Sequence, residues 1–408
     1  MKILFITLIG FDNIYERGIY SDLMRCFVEN GHNVTIVAPI ERRFNKKTYL
    51  NKFENYQVLR VNTFNIQKTN IIEKTIGTFY VDFQLKKAIQ KHIDISDTEL
   101  IIYSTPPITL VHTIQYVKAK TNAKTYLLLK DIFPQNAVDL NFISKSSLFY
   151  KYFRKKEKLL YQLSDNIGCM SPANVDYVLK HNAELNPKNV AVCPNSVYPY
   201  EVVFTAKDKS DTKSKYGLPT DKRIFLYGGN LGKPQGIDFI IEFLESNITR
   251  KEAFFLIIGA GTEYQKLSRW IEKANPSNVK VVEFLPKSEY DEIVKVADVG
   301  MIFLDFRFTI PNFPSRLLSY LEIGIPVIAA TDPNTDIGKI IEKNGFGKAC
   351  LSNNVEKLNE IIDYYLSIND DSLEASGMRA KAFAECEYNV INSYKEIINA
   401  NSIRLLTQ

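Results

Sequence analysis

The chain has 408 residues, too many for one ordinary hydrophobic core and enough for two domains of roughly 200 residues each. Hydrophobic residues make up 45% of the chain and charged residues 24%, which is typical of a soluble globular protein. The sequence contains no run of about 18 apolar residues, so no membrane-spanning helix is predicted. The five cysteines are scattered without metal-binding spacing, which indicates reduced thiols in a cytoplasmic protein.

Positive charge is concentrated in the first half of the chain. The net charge is +5, but residues 1–200 contain 26 Lys and Arg against 17 Asp and Glu, a balance of +9, and the remainder balances at −4. A basic half beside a mildly acidic half predicts an anionic partner for the first. Nucleic acid, an anionic membrane surface and a phosphate-bearing substrate all meet that description.

The chain opens with alternating strand and helix signals. Residues 2–8 predict a buried strand rather than a signal peptide, and residues 17–30 place apolar side chains at helical spacing. Gly31 ends this helix, and residues 34–38 predict the next strand. Further strands are predicted at residues 56–61, 100–103, 124–129, 166–169 and 190–193. Such βαβ units form parallel sheets.

A polar linker is predicted at residues 198–215, where no apolar period is visible. A second series follows, with strands predicted at residues 223–227, 253–258, 279–284, 299–304 and 327–330 and helices between them. Two such series predict an α/β chain of two doubly wound domains. Ligands are then expected at the carboxyl ends of the strands and in a cleft between the domains.

The sequence YGGNLGKPQG occupies residues 227–236, between a predicted strand and a predicted helix. Closely spaced glycines let backbone N–H groups approach an anion, and a helix N-terminus adds partial positive charge. Lys233 can add a full positive charge, so the segment predicts a phosphate-binding loop; a flexible loop with a surface lysine is the alternative. A second pattern, Gly259-x-Gly261, resembles a dinucleotide fingerprint without its third glycine, and a tight turn explains it equally well.

A helix that begins at Ser315 and ends at Gly324 is predicted from its start and stop signals. Arg316 then lies in the first turn, where the helix dipole disfavours a cation unless an anion lies there too. A solvated arginine is the alternative. Ser319 is expected on the same face as Ser315.

Two segments of the first half are also candidates for function. Lys130 and Asp131 follow a predicted strand, where Asp131 could orient a sugar hydroxyl, share a proton or simply cap a loop. Residues 149–161 interleave aromatic residues with cations, which predicts a helix lying on anionic lipid or, alternatively, an ordinary amphipathic surface helix. No GxSxG or HExxH motif is present.

In this order, these segments resemble glycosyltransferase family 4, of the GT-B fold. The resemblance is strongest to the bacterial O-antigen and capsule branch that includes L-fucosamine-type transferases, and it covers nearly the whole chain. The residues that support it lie at 104–107, 130–134, 193–196, 227–236 and 313–321.

The resemblance implies two Rossmann-like domains facing each other across a cleft. The first, residues 1–200, would bind the acceptor; the second, 201–390, would bind the donor; a final helix at 391–408 would pack back onto the first. It implies a retaining glycosyltransferase that needs no metal or other cofactor. The expected donor is a UDP-sugar, with an N-acetylated amino sugar as one candidate. The expected acceptor is a polyprenyl-diphosphate-linked saccharide, not nucleic acid, met peripherally at the inner face of the bacterial cytoplasmic membrane.

The resemblance also assigns residues to roles. Catalytic roles are expected for Asp131, Lys233 and Arg316. Donor binding is expected of Gly228, Gly229, Asn230, Gly232, Gln235, Gly261, Leu285, Ser315, Ser319 and Glu322, and acceptor binding of Arg17, Pro107 and Lys130. The chain departs from the family in two places: the usual Glu-x7-Glu pair falls on Pro311 and Ser319, and Asn230 and Gln235 stand near the usual Arg and Lys.

Three rival functions fit parts of the pattern. A sugar-nucleotide 2-epimerase of similar form would consume a sugar nucleotide without an acceptor. A non-catalytic nucleotide-sugar or lipid-binding protein would bind the donor without releasing nucleotide. A dinucleotide-dependent oxidoreductase fits less well, because its fingerprint is incomplete at Gly259-x-Gly261.

Overall fold

The computed structural model describes residues 1–10, 12–66, 69, 71–201 and 204–402, without the side chains of residues 71, 72, 74, 206 and 402. The chain divides into two compact units. Unit 1 is Met1–Tyr198 together with the segment that starts at Asn389, and unit 2 is Pro199–Tyr388. Each unit is built on a mainly parallel β-sheet with helices between its strands.

Unit 1 has an eight-stranded sheet within the described residues. Its elements in chain order are β1 (Lys2–Ile6), α1 (Ile19–Glu29), β2 (Asn33–Glu41), β3 (Tyr49–Lys52), β4 (Tyr56–Thr63), α2 (Ile71–His92), β5 (Leu100–Ser104), α3 (Val111–Lys120), β6 (Lys124–Leu129), α4 (Gln135–Asp139), α5 (Leu148–Leu163), β7 (Asn166–Cys169), α6 (Pro172–His181) and β8 (Val190–Val192). The strand order is β3-β4-β2-β1-β5-β6-β7-β8, and only the β3–β4 pair is antiparallel. Leu4 and Ile6 of β1 point into one hydrophobic cluster and Ile3 and Phe5 into another, as expected for a strand that is covered on both faces.

Unit 2 has a six-stranded parallel sheet in its described part. Its elements are α7 (Ala206–Lys215), β9 (Arg223–Gly228), α8 (Ile237–Ser246), β10 (Ala253–Ile258), α9 (Tyr264–Ala274), β11 (Val279–Val282), α10 (Lys287–Val294), β12 (Val299–Phe303), α11 (Arg316–Ile323), β13 (Val327–Thr331), α12 (Ile337–Lys343), β14 (Gly347–Leu351), α13 (Val355–Ser367) and α14 (Asp370–Glu387). The strand order is β11-β10-β9-β12-β13-β14. This order reverses direction beside β9, and ligands bind at such switch points in doubly wound sheets.

The prediction of a polar linker at residues 198–215 is wrong for its second half, which forms α7 and belongs to unit 2. A capping box starts this helix: the Thr205 hydroxyl accepts from the backbone N–H of Asp208, and the Asp208 carboxylate accepts from the N–H of Thr205. Capping is a local signal that does not require an apolar face. Because α7 is polar throughout, no periodic spacing of apolar residues predicts this helix.

The last helix, α15 (Val390–Ser402), belongs to unit 1 and packs on α1. The rings of Phe27 and Tyr394 lie 5.0 Å apart, and the Tyr394 hydroxyl lies 3.1 Å from Nε2 of His32. Residues 403–408, the end of the predicted final helix, lie outside the described residues. The predicted helix at 17–30 is α1 itself, which begins only at Ile19, so Arg17 precedes it. No helix in the described ranges is both long enough and apolar enough to cross a membrane.

Packing of α15 on unit 1 predicts a measurable loss of stability. Ile397 is fully buried in this contact, so we expect Ile397→Ala to lower the free energy of unfolding by about 2–4 kcal/mol. Ile391 is 40% exposed on the same helix and serves as the control, since Ile391→Ala should change that free energy by less than about 0.5 kcal/mol. Urea unfolding followed by circular dichroism measures both. Equal losses would contradict the observed packing.

Candidate functional site

The glycine-rich segment of unit 2 lies at the carboxyl end of β9. The chain turns at Gly229, whose φ of +142° is a conformation that glycine adopts with little strain. Residues Lys233–Gln235 then form a short 3₁₀ turn, and Gly236, in the left-handed conformation, leads into α8. A strand, a glycine-rich loop and a helix N-terminus follow one another, which is an arrangement suited to binding an anion.

Two amide side chains fasten this loop to itself. Oε1 of Gln235 accepts from Nδ2 of Asn230 at 2.9 Å and from the backbone N–H of Gly232 at 3.2 Å. The Tyr227 hydroxyl donates to the backbone carbonyl of Asn230 at 2.6 Å. Asn230 and Gln235 lie near the sequence positions where the family usually has Arg and Lys. Here they fix the shape of the loop.

The turn that contains Gly259 and Gly261 packs underneath the glycine-rich loop at residues 227–236. A Cβ atom on Gly259 would overlap the carbonyl oxygen of Gly229, and one on Gly261 would overlap that of Leu231. Leu231 also exchanges backbone hydrogen bonds with this turn, donating to Ala260 and accepting from Glu263, both at 2.9 Å. Close packing against the loop thus accounts for both glycines, and a donor-binding role for Gly261 stays a prediction.

Arg316 lies against the glycine-rich loop. Its guanidinium carbon is 4.3 Å from the centre of the Tyr227 ring, and its Nη1 donates to the Gly228 carbonyl at 2.6 Å. The guanidinium occupies the space where a Cβ on Gly229 would lie. Since one carbonyl uses only one of the five N–H donors of an arginine, this cation retains the capacity to bind an anion at the loop.

A buried tyrosine holds the helix that bears Arg316. Tyr320 of α11 is fully buried; its hydroxyl accepts from the Gly228 N–H at 3.2 Å and lies 3.1 Å from the Leu226 carbonyl oxygen and 3.2 Å from that of Met301. Its ring fills the space beside Gly300, where a Cβ would overlap it. The hydroxyl therefore ties α11 to β9 and β12 and fixes the position of Arg316.

Tyr290 of α10 is a site residue that sequence reasoning missed. Its hydroxyl group lies where a Cβ on Gly228 would be, so it packs against the same glycine that Arg316 contacts. Burial raises the pKa of Tyr290 to about 12, so its hydroxyl is neutral and able to donate near neutral pH. The pairing of Gly228 with Tyr290 joins residues far apart in the chain, and no local pattern signals it.

The remaining predicted residues of unit 2 are spread along the carboxyl edge of its sheet. Lys233 is exposed on the 3₁₀ turn, Ser319 and Glu322 are partly buried on α11, and Leu285 is partly buried in the loop after β11. The Ser319 hydroxyl makes no hydrogen bond within the described residues. Ser315 is exposed and does not cap α11 through its side chain, and the helix begins one residue after the predicted start, at Arg316.

Lys130 and Asp131 follow β6 at the carboxyl edge of unit 1. Nδ2 of Asn136 lies 2.9 Å from both carboxylate oxygens of Asp131 and fixes its orientation. Nζ of Lys130 donates to the Cys193 carbonyl at 2.9 Å, and burial lowers the pKa of Lys130 to about 8. The Lys130 side chain is thus used to hold the segment after β8. Asn136 was not predicted as a site residue, although it lies only five residues after Asp131.

The other two predicted acceptor-binding residues of unit 1 differ in environment. Pro107 is buried in the turn after β5, and Arg17 is exposed just before α1. Among the described side chains, no three His, Cys, Asp or Glu residues lie close enough together to hold a metal ion.

The environment of Asp131 predicts a pH-dependent stability. Burial raises the pKa of Asp131 from 3.8 to about 6, so the stability that the neutral carboxyl contributes is present below about pH 4 and is lost as the pH rises through 6. We expect Asp131→Asn to raise the melting temperature at pH 7.5 and to have little effect at pH 4. Thermal melts at both pH values test this, with Asp176→Asn at an exposed position of unit 1 as the control. A gain in melting temperature from Asp131→Asn that is larger at pH 4 than at pH 7.5 would contradict this prediction.

Unit 2 is similar to known glycosyltransferase domains. Residues 208–382 match the family model described as glycosyl transferases group 1. The chain is 22% identical over 277 residues to the probable glycosyltransferase WbjE of Pseudomonas aeruginosa, covering 67% of this chain and 68% of WbjE. It is 24% identical over 183 residues to the putative colanic acid biosynthesis glycosyl transferase WcaI of Escherichia coli K12, covering 44% of this chain and 43% of WcaI.

Solved structures share the fold of the whole chain. Sucrose-phosphate synthase from Thermosynechococcus elongatus superposes with a TM-score of 0.75 at 14% identity and covers 100% of both chains. HepE from Anabaena, solved in complex with UDP, superposes with a TM-score of 0.69 at 14% identity and covers 99% of this chain and 100% of its own. The predicted fold class, GT-B with two Rossmann-like domains, is confirmed. Residues 208–382, all within unit 2, thus match a glycosyltransferase domain, and the relatives that the longer chain resembles are named as bacterial glycosyltransferases.

Proposed function

We propose that this glycosyltransferase moves a sugar from a UDP-sugar to a polyprenyl-diphosphate-linked saccharide in the synthesis of a bacterial surface polysaccharide such as O-antigen or capsule. The observation that supports it most is the position of Arg316 against Gly228 and Gly229, at the end of a strand and beside a helix N-terminus. The names of WbjE and WcaI point to bacterial glycosyl transfer, and HepE was solved with UDP. An N-acetylated amino sugar is one candidate for the group transferred.

Unit 2 would bind the donor through its diphosphate. In this proposal the guanidinium of Arg316, the ammonium of Lys233 and the N-terminus of α8 surround the phosphates. They neutralise the negative charge that grows on the leaving UDP, and because they are fixed beforehand the transition state gains most from them. These groups take this role without a metal or other cofactor.

Ribose binding would differ from that of the wider family. The position of the family's second glutamate is Ser319, and Glu322 lies three residues later on α11. Residues three apart on a helix share a face, so either side chain could meet the ribose. We assign the ribose to Ser319 with support from Glu322, and the base to the backbone near Leu285.

Unit 1 would bind the acceptor. Asp131, held by Asn136, orients the acceptor sugar through a hydrogen bond to a hydroxyl and does not act as a nucleophile. In this proposal Arg17 contributes to the same surface, the buried Pro107 fixes the turn after β5, and Lys130 shapes the surface through Cys193. The acceptor hydroxyl attacks the anomeric carbon from the side of the leaving group, so the new bond retains the anomeric configuration. The bond from the anomeric carbon to the diphosphate oxygen breaks, UDP leaves, and the hydroxyl proton passes to a donor phosphate oxygen.

The two donor-site cations are tested by their removal. We expect Arg316→Ala and Lys233→Ala each to lower kcat by about 10²–10³-fold, which is the usual effect of removing a group that stabilises transition-state charge. Arg316→Lys keeps the charge but loses the planar stacking on Tyr227 and should recover only part of the activity. Lys251→Ala, at an exposed position of unit 2, is the control. Unchanged turnover and donor affinity in both alanine variants would remove these residues from the mechanism.

The overall reaction is tested by nucleotide release. Purified protein is given a panel of UDP-, GDP- and dTDP-sugars, with and without a bacterial membrane lipid extract. UDP released from one sugar only when lipid is present is the expected result. Release of UDP without any lipid would favour the epimerase, and donor binding without release under any condition would favour a binding protein; either result contradicts the proposed transfer.

A further inference from the structure

Exposed apolar side chains are concentrated on one part of unit 1. Of the twenty large apolar residues exposed among the described residues, eight lie between positions 76 and 152. They are Ile76, Phe79, Tyr80 and Phe83 of α2, Phe142 in the loop after α4, and Leu148, Phe149 and Tyr152 of α5. A concentration of exposed apolar side chains marks an interaction site more often than a solvated face. We refer to these eight residues as the aromatic face.

Helix α2 is apolar on two sides. Its inner side places Val81, Leu85 and Ile89 in the hydrophobic core of unit 1, where each is fully buried. Its outer side exposes Ile76, Phe79, Tyr80 and Phe83, spaced three and four residues apart so that they form one stripe. An ordinary surface helix carries polar residues on its outer side. The outer stripe of α2 therefore has a purpose other than folding this unit.

Ring contacts join α2 and α5 into one surface. The ring of Phe79 lies 5.4 Å from that of Tyr152 and 5.8 Å from that of Phe153, distances typical of packed aromatic pairs. Phe153 in turn packs on Phe133, with ring centres 5.0 Å apart. Phe153 thus supports the aromatic face from beneath and links α2 to α5.

Unbalanced charge around the aromatic face is positive. The acidic residues of α2 and α5 are Glu73, Asp82 and Glu157. Glu73 and Glu157 form ion pairs with Arg42 and Arg154. Asp82 is buried and accepts hydrogen bonds from the backbone N–H groups of His112 and Thr113. The exposed charged residues nearby are cations, namely Lys87, Lys145, Lys151 and Lys155. Lysines flanking exposed aromatic residues complement the headgroups of anionic lipids.

We infer that the aromatic face docks unit 1 on an anionic lipid bilayer. Phe83, Leu148 and their neighbours enter the boundary between headgroups and acyl chains, and the lysines contact lipid phosphates. This inference rests on the proposed function, which places the acceptor in the same bilayer. Residues 149–161 alone suggested lipid contact in the sequence, but much of that helix is turned inward, with Glu157, Leu160 and Tyr161 buried. Helix α2 supplies four of the eight residues of the aromatic face.

Vesicle co-sedimentation tests the apolar contact. Phe83 and Leu148 are 59% and 81% exposed, so the double variant Phe83→Ser/Leu148→Ser should fold normally, which a thermal melt checks. We expect its binding to phosphatidylglycerol vesicles to fall at least about tenfold, given the apolar area withdrawn from the bilayer. Tyr364→Ser/Met378→Ser, at exposed positions of unit 2, is the matched control and should bind like the parent protein.

The same assay tests the charges. Lys151→Glu/Lys155→Glu should weaken binding to phosphatidylglycerol vesicles by about tenfold or more at low salt. Lys251→Glu/Lys339→Glu, with the same change of net charge at exposed positions of unit 2, should have little effect. The inference is overturned if the parent protein does not bind phosphatidylglycerol vesicles. It is also overturned if every variant binds them equally well. So would a dimer of the parent that the Phe83/Leu148 variant dissociates without losing vesicle binding.

Turnover in detergent separates this inference from the proposed function. With lipid extract dissolved in detergent micelles, docking on a bilayer is not needed, so the Phe83/Leu148 variant should release UDP as fast as the parent protein. Loss of vesicle binding with turnover in micelles retained supports docking by the aromatic face. No turnover by the parent protein under any condition would refute the proposed function and leave the vesicle result to stand by itself.

Discussion

Arg316 is held against the backbone of Gly228 and Gly229, and the candidate donor site depends on that contact. The guanidinium stacks on Tyr227 and donates to the Gly228 carbonyl, while Tyr320 fixes the helix from which Arg316 projects. A cation at the N-terminus of a helix is electrostatically unfavourable. Here tertiary packing fixes that placement, which leaves a positive charge where an anion would also meet the N–H groups of a glycine-rich loop.

The glycines of unit 2 follow from the same packing. Gly228 leaves room for Tyr290, Gly229 for Arg316, and Gly300 for Tyr320. Gly259 and Gly261 let the next turn support the loop from below. A glycine pattern that looks like a cofactor fingerprint in the sequence is therefore explained by contacts within the protein.

Local signals made much of this structure predictable, and long-range contacts account for most of what the sequence did not show. The βα series, the loop at 227–236 and the helix of Arg316 could be predicted because strand, turn and helix signals are local. Helix α7 escaped notice because a capping box starts it without an apolar face. Tyr290, Tyr320 and the outer stripe of α2 owe their roles to neighbours distant in sequence, and a single sequence does not show which apolar residues of a helix stay uncovered.

A crystal structure of the protein with UDP bound would show directly whether Arg316 and the glycine-rich loop hold the donor. We expect the diphosphate to lie at the loop after β9, with a phosphate oxygen about 3 Å from the guanidinium nitrogens of Arg316 and from backbone N–H groups of that loop. Diphosphate bound elsewhere, with Arg316 still directed at Gly228 and not in contact with the diphosphate, would contradict this role of Arg316.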